Sequence, residues 1–504
     1  MTAAAPPPLT TASPSPAPTV SPSGAGAGSR SGSGAPVRLT WVQPEDLVGH
    51  EFRQASQDGR GKAAEPLLRV WLAAGGHPAP PSAGASPAPA APELRALASD
   101  LLTALAALPR PAAAAAAEPD PWPAITATWS AASAGPGQGS TEDPALGRRL
   151  EAAWVGRAVG CVLGKPVEKL PLHGIRALAR AAGNWPLDDW FTERGVPPEV
   201  LAAHPWNRRS APTSLAENIN GTPEDDDLNF PLLGLLLLQR HGRGFTTADL
   251  GRLWLDELPA GRTFTAERVA YRNLLHGLEP PATATHHNPF REWIGALIRA
   301  DVHGWTNPGN PAAAAAQAYR DAALTHTGNG VYAALFVAAA TATAATGRAD
   351  VHTALRAGLA VVPPRSRLAE AVRFGIATAA AAGAEGFEEV VDRLHARYGH
   401  YHWVHAVPNT ALIAAALTHA DGDFTRSVCR AVSGGWDTDS NGATAGALAG
   451  LIMGSPDRIP HRWTAPLKNR LATTVPGFDG IGFDTLAGLT ARLARPTPKE
   501  AARS

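Results

Sequence analysis

The chain has 504 residues, with 44 basic and 44 acidic side chains and two cysteines. That balance, with no basic stripe, argues against a nucleic-acid-binding surface, and Cys161 and Cys429 give neither a disulfide framework nor a metal spacing. The opening lacks a charged segment followed by an apolar run, and the most apolar stretches, 232–239 and 331–340, are too short to span a bilayer, so a reduced cytoplasmic protein with two packed thiols is expected.

Taken in chain order, residues 1–36 are Pro, Ala, Ser and Gly with almost no large apolar side chains. Such a stretch cannot bury enough surface to offset its ordering entropy and predicts a disordered tail. Residues 37–73 predict a short ordered element with an N-cap-like Asp46. The low-complexity composition returns at 75–92 and 108–121. Between them, 91–109 predicts a helix carrying Leu94, Leu97, Leu101 and Leu105 along one face. Region 37–145 is therefore expected to hold short helical elements and linkers. From about residue 146 Ala- and Leu-rich segments of helical length, among them 148–163, 228–240, 329–346, 408–419 and 441–453, alternate with Gly, Pro, Asn and Asp clusters. Few runs alternate with period two and no fixed repeat is visible. The expectation is an all-α chain, with a single large helical domain over 146–497.

Two acidic stretches stand out inside that domain, "PEDDDLNF" at 223–230 and "GGWDTDSNGATAG" at 434–446. In the first, Pro231 is tolerable in a first helical turn, so a helix is predicted to begin near Asp227 or Leu228. One carboxylate can cap it, but four in a row, Glu224 to Asp227, repel each other, and a cation is the simplest compensation. In the second, Ser440 or Asn441 can cap a helix over 442–453. Its Gly442, Gly446 and Gly450 make one face nearly bare backbone, suited to close packing on a neighbour. Such packing would hold Asp437 and Asp439 in the interior, where carboxylates are costly unless paired or coordinated. All candidate ligands are oxygens, which selects Mg²⁺ or Mn²⁺ over Zn²⁺ and predicts a central metal-binding cleft.

With these landmarks the domain resembles the ADP-ribosylglycohydrolase family, which includes the dinitrogenase-reductase-activating glycohydrolases. "GRAVGCVLGKPVE" (156–168) is similar to the family's opening Gly-rich helix ending in Glu, and "PEDDDLNF" stands where the family has Thr-Asp-Asp-Thr. "IGALIRAD" (294–301), "DAALTHTGNG" (321–330) and "GGWDTDSNGATAGALAG" follow in the family's order. The resemblance implies an α-helical fold with two Mg²⁺ ions, sometimes Mn²⁺, and hydrolysis of the bond between ADP-ribose and an acceptor. By position, it implies that Glu224, Asp225, Asp226, Asp437, Asp439 and Ser440 hold the metals. Glu168 would serve as general acid/base, with Asp226 counted beside it as catalytic, while Gly295, Arg299 and His326 would meet the substrate. Glu224 and Asp227 replace the family's two threonines, so the ligand register could instead run over Asp225, Asp226 and Asp227, and Cys161 stands where an Asp is common.

An ADP-ribosylated protein is the expected partner, and a free ADP-ribosyl or nucleoside molecule is the alternative. Two readings of other classes remain beside these. One is a non-catalytic ADP-ribose-binding relative; the retained carboxylates count against it. The other is an isoprenoid-synthase-like Asp-rich enzyme; the i, i+2 spacing of Asp437 and Asp439 in a turn, rather than i, i+4 in a helix, counts against that. His402, His405 and Asn409 and most of the fourteen tryptophans read as core packing.

Overall fold

Alanine, leucine and regular glycine spacing translate into helix throughout. In the computed structural model, residues 38–79, 84–86, 88–129, 143–383 and 386–495 are described. They form twenty-four α-helices, with isolated β-bridges and no β-strand among them. The all-α expectation is met; the tail expected over 1–36 lies outside the described residues. Among the described residues, no helix is long and apolar enough to cross a membrane.

The centre is a helix pair. Helix Leu146–Gly164 is buried on nearly all sides, as is helix Thr438–Met453, and a helix apolar all round belongs in a core. Their contact is backbone on backbone. A Cβ added at Gly156 would fall 2.1 Å from the Gly446 carbonyl, at Gly160 1.8 Å from that of Gly442, and at Gly164 2.3 Å from that of Thr438. The reciprocal glycines meet the same wall, Gly442 on Gly160 and Gly446 on Gly156. Thr438 Oγ1 pins the register by donating to the Gly164 carbonyl at 2.8 Å. The small-residue face read from 442–453 therefore does seat closely against a neighbour.

Helix Asp226–His241 begins one residue earlier than its sequence indicated, with Asp225 as N-cap accepting from the Asp227 N–H. Pro231 consequently lies inside the helix, where it removes the hydrogen bond to the carbonyl four residues back. That carbonyl belongs to Asp227, and Arg157 Nε donates to it at 2.7 Å instead. Arg157 is fully buried and pairs also with Asp301. The proline is thus tolerated because a neighbouring helix repairs the gap it leaves.

The amino-terminal elements are fastened to the same body. Helix Pro44–Gln57 sends Gln54 to Glu292 at 2.8 Å and Glu51 to Arg291 at 2.6 Å. The stretch 108–121, expected to be low-complexity, contains helix Ala112–Ala117, and just past it the buried Glu118 pairs with Arg367 at 2.8 Å. No alanine of the run is buried; the segment is tied down by Glu118, which pairs with Arg110 as well.

Candidate active site

Both acidic stretches open onto one cavity of about 720 Å³. Glu168, Glu224, Asp225, Asp226, Asp227, Asp437, Asp439 and Ser440 line it. The first group arrives on the N-terminus of helix Asp226–His241, where the helix dipole favours negative charge. The second arrives on the N-terminus of helix Thr438–Met453, with Asp437 at the N-cap position but making no side-chain capping bond, and the helix starts earlier than the expected Ser440 or Asn441.

The reason for the early start is the preceding turn. Gly435 and Trp436 are both left-handed, with φ of 78° and 57°. That conformation is uncommon for a bulky side chain and is held only where the surroundings enforce it. Here the Trp436 ring stacks on His395 at 3.9 Å, and His395 Nε2 meets the Gly434 carbonyl at 2.8 Å. Asn409 completes the turn, its side-chain oxygen accepting from the Asp437 N–H at 3.1 Å and from Asn441 Nδ2 at 2.7 Å. Asn409 is therefore a support of this loop, a role its place in "HWVHAVPN" does not reveal.

The carboxylates divide into those with a cation and those without. Asp225 pairs with Lys165, and Asp227 with Arg157 at 3.4 Å. Glu224 pairs with Arg262 at 3.1 Å and Glu168 with Lys169 at 3.0 Å. Asp226, Asp437 and Asp439 make no ion pair within 4 Å to any described Lys, Arg or His. Their protonation reflects it. Burial, then repulsion from Asp225, pushes Asp226 well above the usual carboxylate range. Burial, then Asp439, does the same to Asp437. Burial, then Glu168, raises Asp439 to about 7. Asp225 goes the other way: burial opposes its charge, but Lys165 and the Asp227 N–H hold it below the usual range.

The donor set fits a hard divalent cation. Three carboxyl groups of one cavity, Asp437 and Asp439 buried and Asp226 half-buried, lack counter-charge; all the free donors are oxygens, and such groups are paired, protonated or coordinated in a folded protein. Among the described residues, Cys161, Asp225 and Asp227 also place ligating atoms within 4.8 Å of one another. In that trio, however, both carboxylates already have a cation, and burial, then Asp225, pushes the Cys161 thiol well above its ordinary value. Cys161 therefore remains a thiol beside Asp225 rather than a soft metal ligand.

The remaining expected residues separate into wall and support. Gly295 lines the cavity, and a Cβ there would fall 2.0 Å from Glu267 Oε1, another lining atom. Arg299 and His326 do not line it. Arg299 is buried behind Glu267, donating to it at 2.8 Å and to Thr325 Oγ1 at 2.7 Å, and pairs also with Asp321. His326 is buried against Thr325, its Nδ1 2.6 Å from that hydroxyl, and burial, then Arg299, keeps it neutral. Both sit one layer too deep to touch a ligand. Lys165 and Asn207, which donates to Glu168 Oε2 at 2.9 Å, belong to the site and are not among its expected members, and Asp227, expected only in the alternative ligand register, lines it too. Lys165 lies within the "GKPVE" segment and Asp227 beside the chosen aspartates, so adjacency was the available signal.

A sequence model of the ADP-ribosylglycohydrolase family matches residues 142–501. No curated protein matches the chain. A solved ADP-ribosylglycohydrolase-related protein complex aligns with 69% of this chain and 99% of its own, at 22% identity and a TM-score of 0.42.

Proposed function

The chain belongs to the ADP-ribosylglycohydrolase family, and from that premise we propose that it is a Mg²⁺-dependent hydrolase that releases ADP-ribose from modified protein side chains. The observation that carries the proposal is the trio Asp226, Asp437 and Asp439, which line one cavity without a cation of their own, the last two buried and Asp226 half-buried. Those three, with Ser440 and the cavity face of Asp225, are the residues that would hold the metal, Mn²⁺ being an acceptable substitute.

Cleavage at an anomeric carbon passes through an oxocarbenium-like transition state. Carboxylates facing the sugar stabilise that developing positive charge, and the cavity presents them on two sides, from residues 224–227 and 437–439. When bound, a divalent cation supplies the charge that anchors ribose hydroxyls and acidifies a nearby water. Glu168 accepts the proton from the attacking water. Its carboxylate is held between Asn207 Nδ2 and Lys169 Nζ, so it faces the cavity in a fixed orientation. Arg299 acts at a distance, fixing Glu267 in the wall. Glu267 and Gly295 together shape the surface against which the sugar lies.

The direct test is release of ADP-ribose from an arginine-ADP-ribosylated protein, with Mg²⁺ and with chelator, by wild type and by Asp437→Asn. Metal-dependent release that the variant loses supports the reading. Tight Mg²⁺ binding without release would move the substrate to another linkage or a free ADP-ribosyl molecule. Neither binding nor release would end the enzymatic reading.

A further inference from the structure

One wall of the cavity comes from outside the family-matched segment. Trp41 lies well before residue 142, yet it lines the same cavity as Glu168, Asp226 and Asp437. We propose that Trp41 is the stacking platform for the adenine base of the substrate, so that the amino-terminal segment sets affinity for the nucleotide end. This rests on the reading of the cavity as an ADP-ribosyl site.

The ring is held in place by its surroundings. Trp41 adopts a left-handed backbone, φ 68°, which a bulky residue takes only under constraint. Its N–H donates to the Gly84 carbonyl at 2.5 Å. Gly84 itself packs on the indole, since a Cβ there would lie 2.4 Å from the ring. The adjacent Thr40 is tied to the family domain by Arg268, which donates to its hydroxyl at 2.5 Å and its carbonyl at 3.2 Å. Perpendicular contacts to Phe290 at 5.5 Å and Trp293 at 6.0 Å complete the setting.

The other aromatic groups of the cavity are engaged. Trp293 is stacked on His402 at 4.2 Å, the Lys169 ammonium sits over Trp403 at 5.9 Å, and Arg268 lies over Phe264 at 5.2 Å. No described ring lies parallel to Trp41, whose neighbours are perpendicular or tilted. It is therefore the lining aromatic that, among the described residues, neither a parallel ring nor a cation covers.

The chemistry of the whole cavity matches a nucleoside diphosphate sugar part by part. Carboxylates suit the ribose hydroxyls and the anomeric carbon. Arg208, Arg209 and Arg262 line the same space and suit a diphosphate. An indole suits the base, and stacking of this kind changes affinity by roughly 5- to 150-fold on alanine substitution.

The experiment measures binding of ADP-ribose and of ribose 5-phosphate to the full-length chain by calorimetry in Mg²⁺. It uses wild type, Trp41→Ala, Trp41→Phe and Gly84→Ala, each with its melting temperature. The expected result is that Trp41→Ala weakens ADP-ribose at least fivefold and leaves ribose 5-phosphate unchanged. Trp41→Phe should recover most of the loss, and Gly84→Ala, which pushes on the ring without removing it, should fall between. Equal weakening of both ligands, or of neither, overturns the proposal while leaving the hydrolase reading intact. A wild type that binds neither ligand overturns both.

Discussion

Ser440 Oγ donates to Asp227 Oδ2 at 3.3 Å, joining two acidic helix entrances that lie 213 residues apart in sequence. Around that bond, Asp225 and Asp227 each have a cation, while Asp226, Asp437 and Asp439 have none. The paired carboxylates thus belong to the side of the Gly-rich helix, and the three that face the cavity have no counter-charge and are pushed towards their protonated form. Several consequences can be measured.

Removing one of the unpaired carboxylates should stabilise the metal-free protein. Asp437 is buried and raised in pKa by burial and by Asp439, so at neutral pH its charge is opposed by its surroundings. Asp437→Asn keeps the shape and removes that repulsion. Relief of a strained functional site is typically worth about 0.5–2 kcal/mol. In chelator, the variant should melt above wild type, and added Mg²⁺ should raise its melting temperature less. A variant that melts lower in chelator would show that Asp437 has a stabilising partner.

The glycine seam makes a sharper stability prediction. Gly160→Ala would drive a methyl group to 1.8 Å from the Gly442 carbonyl, where both neighbours are helix backbone and cannot turn away. The cost should exceed the roughly 1–3 kcal/mol of ordinary overpacking. Gly147, on the same helix with nothing within 4 Å of its added Cβ, is the control. There alanine should be neutral or stabilising by up to about 1 kcal/mol, the difference in helix propensity. Chemical denaturation of the pair would separate close packing from propensity, and equal effects would refute the seam.

Lys165 makes a prediction about metal dependence. Its ammonium pairs with Asp225 in the interior, and removing one partner of a buried pair costs about 3–5 kcal/mol because the other charge stays behind. Lys165→Met should therefore unfold more readily in chelator. It should also gain more from Mg²⁺ than wild type does, since a freed Asp225 adds a negative charge beside the unpaired trio. Melting temperature against Mg²⁺ concentration reads both effects. A variant with wild-type metal response would place Asp225 outside the cation's reach.

The sequence carried the helical class, the pairing of the two acidic stretches and the small-residue face, because each of these is written in local composition or spacing. It did not carry who neutralises whom. Lys165 and Arg157 meet Asp225 and Asp227 only once the helix Leu146–Gly164 region packs beside the N-terminus of helix Asp226–His241, so their partners are a product of packing. The helix starts were misplaced for a similar reason. Pro231 was expected in a first turn, because nothing local shows that Arg157 takes the carbonyl it leaves unbonded. Ser440 or Asn441 was expected as a cap, because nothing local shows that Trp436 is forced left-handed by its stack on His395. Arg299 sits in a segment that reaches the cavity at Gly295, but its side chain turns into the layer behind, while the segment 321–330 that holds His326 contributes no residue to the lining.

Acidification should destabilise the fold through two histidines of the aromatic wall. His50 lies among Trp41, Phe290, Trp293 and His402, with ring centroids 5.1–6.1 Å away. Burial, then Arg53, lowers it from 6.5 to about 3. Burial, then His50 and Arg53, lowers His402 to about 2. The unfolded chain binds a proton at each histidine below about pH 6.5, whereas the native chain does not until near pH 3 or 2. Their stabilising contribution is therefore complete above pH 6.5 and falls as pH drops through the window from 6.5 towards 3. Each histidine contributes a slope of at most about 1.4 kcal/mol per pH unit there. His50 Nδ1 has no hydrogen-bond partner among the described residues, so His50→Phe forfeits no bond at that atom and removes one of the two protons. Melting temperatures between pH 8 and 5 should decline for wild type and decline less steeply for the variant. Trp293 lines the cavity and stacks on His402, but both histidines stay neutral in the native chain over this range, so substrate affinity of the folded protein should not change through them. Identical pH profiles for the two proteins would assign the acid sensitivity to other groups.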